Sequence, residues 1–525
     1  MSARSSTNEQ SALKATAGSP ALLAGLLCVF LSAVDLTVIA AILPTMIGDL
    51  GVNSADIDRY IWVVNSYLIA YVVSIPIFGR LSDHLGRQSA FMACLVIFLV
   101  GSIMAAQADS LTAAVVGRAV QGLGGGGLLP VTIALAGDVL APRIRLAGIG
   151  LISAVETLGW VVGPTWGAIV VGILPGSQDP WRWVFWMNVP LLIIAILSIL
   201  RGFPRRTDGL KSTLSDLDLP GTILLAITLV GANLALSSGG DTGMQANRGL
   251  RAFGGTPNPL ADHVPILLGV TVVGLVALVL WERRAPNPIM PVDLFRKPFY
   301  IAAVIANFLI GAALMVGMVN VPVIVSLVRD PDTVSRDSAL LLAPLTLGVA
   351  LAALASGRVA RDIGAYTMTR IGIGLTVVGF AALYLLVDVD RIWQMAIGLG
   401  VAGIGIGLLL APLSATALDA STSRNRGAAT STALLFRLLG MTIGMSLLTT
   451  AGVYRLQQLT GRLDPVVQGA DESTAEFLGR QQQFVNDVVT PIGVQVMQET
   501  FLAAAVLAAI AIIPVIRMRH ETPDA

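Results

Sequence analysis

The chain has 525 residues, of which 55% are hydrophobic and only 12% are charged, and its mean hydropathy is +0.79. Soluble domains carry about 25% charged residues, so the composition excludes a soluble protein and indicates one that crosses a membrane many times. The net charge of +1 lacks the large positive excess that is typical of nucleic-acid-binding proteins, so we expect no nucleic-acid partner. Two cysteines in apolar spans and three scattered histidines predict neither a disulfide framework nor a metal site.

Fourteen apolar segments are long enough to span a bilayer as helices. They comprise residues 21–47, 58–79, 89–107, 111–136, 147–171, 183–201, 219–237, 265–281, 299–322, 338–357, 368–388, 393–418, 427–452 and 497–516. The first is too long for the core of a signal peptide, so we interpret it as a retained span. An even number of spans places both termini on the same side.

The basic residues of the loops predict the orientation. The side of the termini carries 21 Lys and Arg residues and the opposite side 10, while Arg118 and Arg437 lie within spans. Because basic loops are retained in the cytoplasm, we predict a multi-pass protein of the cytoplasmic membrane with both termini cytoplasmic.

One loop pattern occurs in both halves of the chain. Residues 79–86 follow the second span and residues 357–364 the tenth, and both begin with Gly-Arg and end with Gly. Two repeated bundles that flank a midplane cavity are typical of secondary transporters. We predict an all-α membrane protein with a cytoplasmic tail (1–20), a six-helix bundle (21–201), a linker with two inserted transmembrane helices (202–298), a second six-helix bundle (299–516) and a second cytoplasmic tail (517–525).

The connection between the last two spans, residues 453–496, carries apolar residues at helical spacing. They include Phe477, Leu478, Phe484, Val485, Val488 and Val489. This spacing predicts that the thirteenth and fourteenth spans continue beyond the membrane as an external helical hairpin. The alternative is an amphipathic loop that lies on the membrane surface.

Five short motifs follow one another along the first half. They are Asp35-Leu36-Thr37 in the first span, GRLSDHLGR from Gly79 to Arg87, GRAVQG from Gly117 to Gly122, the glycine-rich run from Gly159 to Gly167, and the segment from Trp181 to Pro190. Together they resemble the major facilitator superfamily, in its fourteen-helix drug:proton antiporter branch. Gln88 and Ala168 depart mildly from the family pattern. The resemblance implies two six-helix bundles, alternating access to a central cavity, and efflux by proton antiport.

A second set of features is similar to the triacylglyceride exporter family of mycobacteria. It consists of Glu156, Arg437, the run Trp281-Glu282-Arg283 and the long external loop before the last span. The resemblance implies a lipid substrate and, as a partner, a periplasmic lipid-binding lipoprotein. We expect the transporter itself to be a monomer surrounded by membrane lipids.

Glu156 and Arg437 lie about 10 residues from the cytoplasmic ends of the fifth and thirteenth spans, hence roughly 15 Å deep. Unpaired charge at this depth is costly, and the family fold places both helices on the cavity. We predict a salt bridge between the two bundles that forms and breaks as a gate. Alternatively, each charge is a static packing element within its own bundle.

Asp35 is a candidate proton carrier, because intramembrane acids in pumps commonly relay protons. Alternatively, it is permanently hydrogen-bonded to Ser32 or Thr37. Arg118 either tunes a nearby acid or anchors the fourth helix, and the sequence does not distinguish these roles.

The loop residues Gly79, Arg80, Asp83, Gly86, Arg87 and Asp138 form a further candidate site. The family resemblance implies that such a cluster latches the outward-open state. We also expect Asp83 near the start of the thirteenth helix, where the helix dipole favours an anion. Alternatively, they are ordinary loop charges. In the fifth span, Gly159, Gly163 and Gly167 allow another helix to approach closely, and Pro164 bends the helix.

The sequence contains no catalytic site and no phosphate-binding loop, so we expect neither an enzyme nor a cofactor, and a proton gradient must supply the energy. The run from Gln121 to Gly127 lacks the Lys-Ser/Thr of such a loop and lies in an apolar span, where it is a packing surface. The candidate cavity residues are apolar: Trp62, Tyr67, Trp160 and Met441, with Trp166, Met315 and Met318.

These residues favour a hydrophobic or amphipathic substrate. Three functions remain open at this point. The first is a proton-coupled lipid exporter, and the second is a multidrug:proton antiporter that confers resistance to lipophilic cationic drugs. The third is a lipid-flipping or structural membrane component that needs no coupling ion.

Overall fold

A computed structural model describes residues 20–50, 57–173, 179–202, 218–239, 263–290, 292–329, 331–388, 391–422, 424–461 and 473–516. Apart from Pro20, the two predicted tails lie outside these ranges. The same is true of residues 462–472 in the predicted hairpin and of most of the long connections 202–218 and 238–264.

The described residues contain fourteen helices that are long and apolar enough to cross a membrane, which confirms the predicted fold class. They are α1 (Pro20–Asp49), α2 (Ile57–His84), α3 (Arg87–Ala106), α4 (Leu111–Val139), α5 (Pro142–Ile173), α6 (Arg182–Trp186 and Asn188–Gly202), α7 (Leu219–Gly239), α8 (Val264–Glu282), α9 (Pro298–Val328), α10 (Pro331–Ile363), α11 (Ala365–Leu386), α12 (Met395–Asp419), α13 (Arg426–Thr460) and α14 (Thr474–Phe484, Val485–Val489, Thr490–Ile510 and Ile512–Ile516). We call the face at which α1 begins the proximal face and the opposite one the distal face.

The helices form two bundles with the same internal packing. In the first bundle, α4 packs against α2 and α3, and α1 packs against α5; in the second, α12 packs against α10 and α11, and α9 packs against α13. The contacts between the bundles are also equivalent, since α2 packs against α13 and α10 packs against α5. The inserted helices α7 and α8 pack chiefly on each other, at the side of α2 and α13.

The repeated loop pattern marks equivalent places in the two bundles. Gly86 and Gly364 have φ angles of +88° and +81°, a backbone conformation that favours glycine. Gly79 leaves room for α13 at Gly427, and Gly357 leaves room for α5 at Ala147. The glycines that the repeat shares therefore shape the turns and the two close approaches between the bundles.

The glycine run in α4 is a packing surface, as the sequence predicts. A side chain at Gly122 would clash with the main chain of Tyr67 in α2, and one at Gly124 with the main chain of Phe98 in α3. Without side chains at these positions, α4 lies close to both neighbours in the middle of the first bundle.

The last two helices are longer than a bilayer requires. α13 has 35 residues, about 52 Å at 1.5 Å per residue, whereas the hydrocarbon core is about 30 Å thick. Near the distal ends, Gly452 of α13 lies against Val496 and Thr500 of α14. Arg455 forms an ion pair with Glu499 at 2.9 Å, which joins the two helices again. The projection of this pair beyond the membrane stays a prediction.

Candidate functional site

Asp35 is buried inside the first bundle, where amide side chains hold one of its carboxyl oxygens. Asn188 of α6 donates to Oδ2 at 2.8 Å, and Gln121 of α4 donates to the same oxygen. The other oxygen, Oδ1, is buried and has no hydrogen-bond partner. An ionised carboxylate with an unpartnered buried oxygen carries a large desolvation cost, whereas a protonated carboxyl carries much less.

The predicted alternative partners of Asp35 bind elsewhere. Ser32 donates to the carbonyl oxygen of Gly125 at 3.1 Å, and Thr37 donates to carbonyl oxygens of its own helix. The sequence analysis predicted no role for Gln121 or Asn188. Both belong to family-like motifs, Gln121 to the run from Gly117 to Gly122 and Asn188 to the segment from Trp181 to Pro190, and this is the signal that could have identified them.

Arg118 binds the main chain of α1 and reaches the Asp35 carboxyl only through Gln121. Its guanidinium donates to the carbonyl oxygen of Asp35 at 3.0 Å and to Oε1 of Gln121 at 2.6 Å. The ring of Tyr67 covers the guanidinium at 4.1 Å, and the Tyr67 hydroxyl donates to the carbonyl oxygen of Ser32 at 3.0 Å. Arg118 thus ties α4 to α1, and the structure places Tyr67, a predicted cavity residue, inside this buried network.

The glycines of the fifth-span motif bring α5 against the part of α1 that carries Asp35. A side chain at Gly159 would lie 2.6 Å from Cβ of Ala33, and one at Gly163 would clash with Thr37. Gly167 lies against Val38 and Ile42, and Pro164 lies within the continuous helix. The motif therefore fixes the position of α5 relative to α1.

Glu156 and Arg437 form an ion pair between the two bundles. A terminal nitrogen of Arg437 lies 2.7 Å from Oε1 of Glu156, and the Arg437 and Glu156 side chains are only 3% and 5% exposed. The Nε atom of Arg437 is buried without a partner. At Gly311, α9 approaches the main chain of Arg437 and supports this part of α13. The pair connects α5 to α13 at depth, and its role as a gate stays a prediction.

Two further predicted cavity residues lie one helical turn from this pair, towards the distal face. Trp160 follows Glu156 by four residues and is buried, and Met441 follows Arg437 by four residues and is partly buried. Trp160 belongs to the apolar cluster of the second bundle, which Met441 also contacts. Trp62, at the distal end of α2, is partly buried.

At the proximal face, Asp83 binds the start of α13 in the other bundle. Its two carboxylate oxygens accept hydrogen bonds from the main-chain nitrogens of Gly427 and Ala428, both at 2.8 Å. The first amides of a helix have no partner within the helix and carry partial positive charge, so the carboxylate satisfies and neutralises them. Arg87 bridges Asp83 at 2.7 Å and Asp138 at 2.9 Å.

Two more ion pairs cross between the bundles at this face, and neither was predicted from the sequence. Arg426 lies 2.6 Å from Asp138, and Arg145 lies 3.0 Å from Asp419. The first pair joins the start of α13 to the end of α4, and the second joins the start of α5 to the end of α12. The internal repeat contained the signal, because the two pairs occupy equivalent places in the two bundles. The proximal halves of the bundles are thus closed against each other.

Comparisons with known proteins agree with this arrangement. Residues 25–445 match a family model described as the Major Facilitator Superfamily. A triacylglyceride transporter of Mycolicibacterium hassiacum is 32% identical over 479 residues, which cover 88% of this chain and 84% of the relative. A triacylglyceride transporter of Mycobacterium tuberculosis is 31% identical over 468 residues, which cover 85% of each chain.

Solved structures share the fold. The human organic anion transporter MFSD10 superposes with a TM-score of 0.57 over 93% of this chain and 99% of its own, at 14% identity. The proton:xylose symporter XylE superposes with a TM-score of 0.51 over 93% of this chain and 94% of its own, also at 14% identity. At this identity, the likeness concerns the fold alone.

Proposed function

Because this chain belongs to the major facilitator superfamily and is a membrane transporter rather than an enzyme, we propose that it exports a hydrophobic or amphipathic lipid by proton-coupled alternating access. A triacylglyceride is the substrate we favour. The observation that carries the proposal is the buried ion pair between Glu156 and Arg437, which joins the two bundles at 2.7 Å.

In this proposal the ion pair is a gate. Charges buried at this depth must remain paired or become hydrated, so the pair is stable only while α5 and α13 are in contact. The proximal latch of Asp83, Arg87 and Asp138 is formed in the same conformational state as the ion pair. Opening the proximal face would separate both sets of contacts, admit water to Glu156 and Arg437, and expose the cavity to lipid from the cytoplasmic leaflet.

Asp35 is the proton carrier of the proposal. Its carboxyl lies on α1, against which α5 of the same bundle packs, so movement of α5 changes the packing around it. A proton bound in one state and released in the other would couple the gradient to the conformational cycle. Gln121 and Asn188 hold the carboxyl, and Arg118 supplies positive charge close to it without binding it directly.

Two observations favour a lipid substrate. The relatives that cover most of the chain are named triacylglyceride transporters. The described intramembrane charges Asp35, Arg118, Glu156 and Arg437 already have partners within the protein, and the residues near the gate, Trp160 and Met441, are apolar. Such a site suits an acyl chain better than a sugar or a multivalent ion.

The basic loops support a cytoplasmic position for the proximal face and a location in the cytoplasmic membrane. The long α13–α14 hairpin then lies on the outside, where a lipid-binding lipoprotein would receive the substrate. The transporter acts as a monomer in this scheme.

The test is reconstitution into liposomes that contain a fluorescent neutral lipid or, in parallel, a lipophilic cationic dye, under an imposed proton gradient. Gradient-dependent lipid transfer that requires Glu156 and Arg437 is the expected result. Dye movement without lipid movement would instead make the chain a multidrug:proton antiporter. Lipid movement that is independent of the gradient would refute proton coupling and favour a lipid-flipping component.

A further inference from the structure

A groove runs between α11 and α14 on the outer surface of the second bundle. Its volume is about 690 Å³, and small-molecule sites measure about 300–1,000 Å³. Apolar residues form most of its wall, among them Ile371, Gly374 and Val378 of α11 and Ala509 and Ile512 of α14. Both helices make their main contacts within the second bundle, so the groove opens to the surrounding lipid.

The proximal end of this groove is polar. Thr367 and Arg370 line it there, and both side chains are exposed. Together with Ile371, Gly374 and Val378 they follow one another at spacings of three or four residues, so all five share one face of α11. A molecule that lies along this face therefore meets a hydroxyl and a guanidinium at the end nearest the membrane surface and only apolar groups below them.

Arg370 lies within an apolar span and lacks an anionic partner in the described part of the chain. It is the sixth residue of α11, about 8 Å from the start of the helix. Among the described residues no carboxylate pairs with it, and its guanidinium carbon lies 5.7 Å from the ring centre of Tyr366. A cation at a lipid-facing position is costly unless it finds an anion or reaches the membrane surface. Because a guanidinium matches phosphate oxygens in geometry and charge, a lipid phosphate fits this position.

The length of the groove matches one leaflet of a bilayer. From Thr367 to Val378 the helix rises about 16 Å, and half of the hydrocarbon core is about 15 Å thick. Just beyond the distal end, the rings of Phe380 and Phe501 stack with their centres 6.5 Å apart and bring α11 and α14 together. The groove therefore holds the acyl chain of a lipid whose headgroup lies in the proximal leaflet.

The internal repeat shows that bundle packing does not require these residues. Counted from Gly86 and Gly364, the places of Arg370 and Gly374 are taken in α3 by Met92 and Val96. A Cβ atom at Gly374 would meet no atom within 4 Å, so this glycine allows no close helix approach and only leaves the groove open. The first bundle thus lacks both the cation and the gap.

We propose that the groove between α11 and α14 is a binding site for an anionic phospholipid of the proximal leaflet. The guanidinium of Arg370 binds the phosphate, Thr367 donates to the headgroup, and one acyl chain lies along Gly374 towards Val378. This lipid is a resident of the protein surface and not the transported substrate, since the groove lies away from Glu156 and Arg437. The inference does not depend on the proposed transport cycle.

The test measures which lipid occupies the groove, by the quenching of a local fluorophore with brominated lipids. The full-length protein, with Cys28 and Cys94 replaced by alanine, carries a bimane label on a cysteine at Ile513, an exposed position beside the groove. A second preparation carries the label at the exposed Leu197 of α6, the last helix of the first bundle. Each is reconstituted in bilayers of phosphatidylcholine with brominated phosphatidylglycerol, or the reverse, and the quenching gives the relative affinity of the two lipids at each label.

We expect phosphatidylglycerol to be preferred at Ile513 by at least about fivefold more than at Leu197, because one basic residue near the surface contributes about this factor. Arg370→Gln should remove the excess, since it removes the cation. Gly374→Val should remove it as well, because the valine side chain fills the groove while Arg370 keeps its charge.

Two matched controls should keep the preference. Arg358→Gln removes an exposed charge near the same face but outside the groove, and it is preferred to its counterpart Arg80, which is partly buried and belongs to the candidate latch. Gly269→Val adds the same side chain as Gly374→Val at an exposed position of α8, where a Cβ atom would also meet no atom within 4 Å.

Three results would overturn the inference. Equal preferences at Ile513 and Leu197 would show only the general attraction of basic residues for anionic lipid. A preference that survives Gly374→Val would show a cation at the membrane surface that needs no groove. Stronger quenching at Ile513 by a brominated triacylglyceride than by brominated phosphatidylglycerol would assign the groove to the transported lipid.

Discussion

Removing one charge of the Glu156–Arg437 pair should destabilise the protein strongly, whereas removing both should not. Breaking a buried ion pair by deleting one partner costs about 3–5 kcal/mol, because the other charge stays buried and uncompensated. Replacing both partners by uncharged groups of similar size is often close to neutral. We therefore expect Glu156→Gln and Arg437→Met each to lower the stability of the closed state by about 3 kcal/mol or more, a factor of about 100 in equilibrium.

The two single variants should also differ from each other. Arg437→Met leaves a carboxyl group that can take up a proton and become neutral, so its cost should fall as the pH is lowered. Glu156→Gln leaves a guanidinium that stays charged at any accessible pH and whose Nε atom already lacks a partner. We expect Glu156→Gln to be the more destabilising of the two at low pH.

The measurement is a double-mutant cycle on the apparent free energy of unfolding in detergent micelles, with transport in proteoliposomes as the second readout. The double variant should recover most of the stability but no transport, since a gate needs the charges themselves. The charge-swapped pair Glu156→Arg/Arg437→Glu should recover some transport. The matched control is the Arg455–Glu499 pair, whose side chains are 43% and 36% exposed and which should show little coupling. Additive losses at Glu156 and Arg437 would refute the salt-bridge gate.

Three further variants test the other parts of the site. Asp35→Asn removes the proposed proton carrier, so lipid transfer should lose its response to an imposed proton gradient while passive exchange persists; a retained response would exclude Asp35 as the carrier. Asp83→Asn weakens the bond to the start of α13, so the distance between spin labels on the proximal ends of the two bundles should show a larger open population, and an unaltered distance would contradict the latch. Gly163→Val should force α5 away from Thr37 and lower both the thermal stability and the transport rate. The control Gly172→Val should lower neither, because a Cβ atom at that position would meet no atom within 4 Å.

The number of helices and the division into bundles followed from the sequence for a physical reason. A bilayer offers no hydrogen bonds to the main chain, so each apolar segment of sufficient length must be a helix. The repeated loop pattern predicted that the two bundles are equivalent. Gly79 and Gly357 each allow a close helix approach, and Gly86 and Gly364 each adopt a positive φ angle. The residue types also identified the buried charges, since Asp35, Glu156 and Arg437 stand out against an apolar background.

The partners of those charges depended on tertiary structure. Whether Arg118 binds the Asp35 carboxyl or its main-chain carbonyl depends on how far apart α1 and α4 lie. That distance depends on Gly25 of α1, which lies against Thr132, and on Gly125 of α4, which lies against Ser32. The position of Tyr67 also depended on tertiary structure. Its residue type suggested a cavity residue, whereas packing places its ring over Arg118. Side chains a few ångströms apart in space are here separated by dozens to hundreds of residues along the chain.

The sequence by itself therefore determined which residues must cross the membrane, where the chain turns and which charges need partners, because these are demands of the solvent and of local geometry. Only the tertiary structure decided that Asn188 and Gln121 hold Asp35, that Arg145 binds Asp419 and that Arg455 binds Glu499. Those pairings arise from the angles and distances at which helices pack, which single residues do not encode.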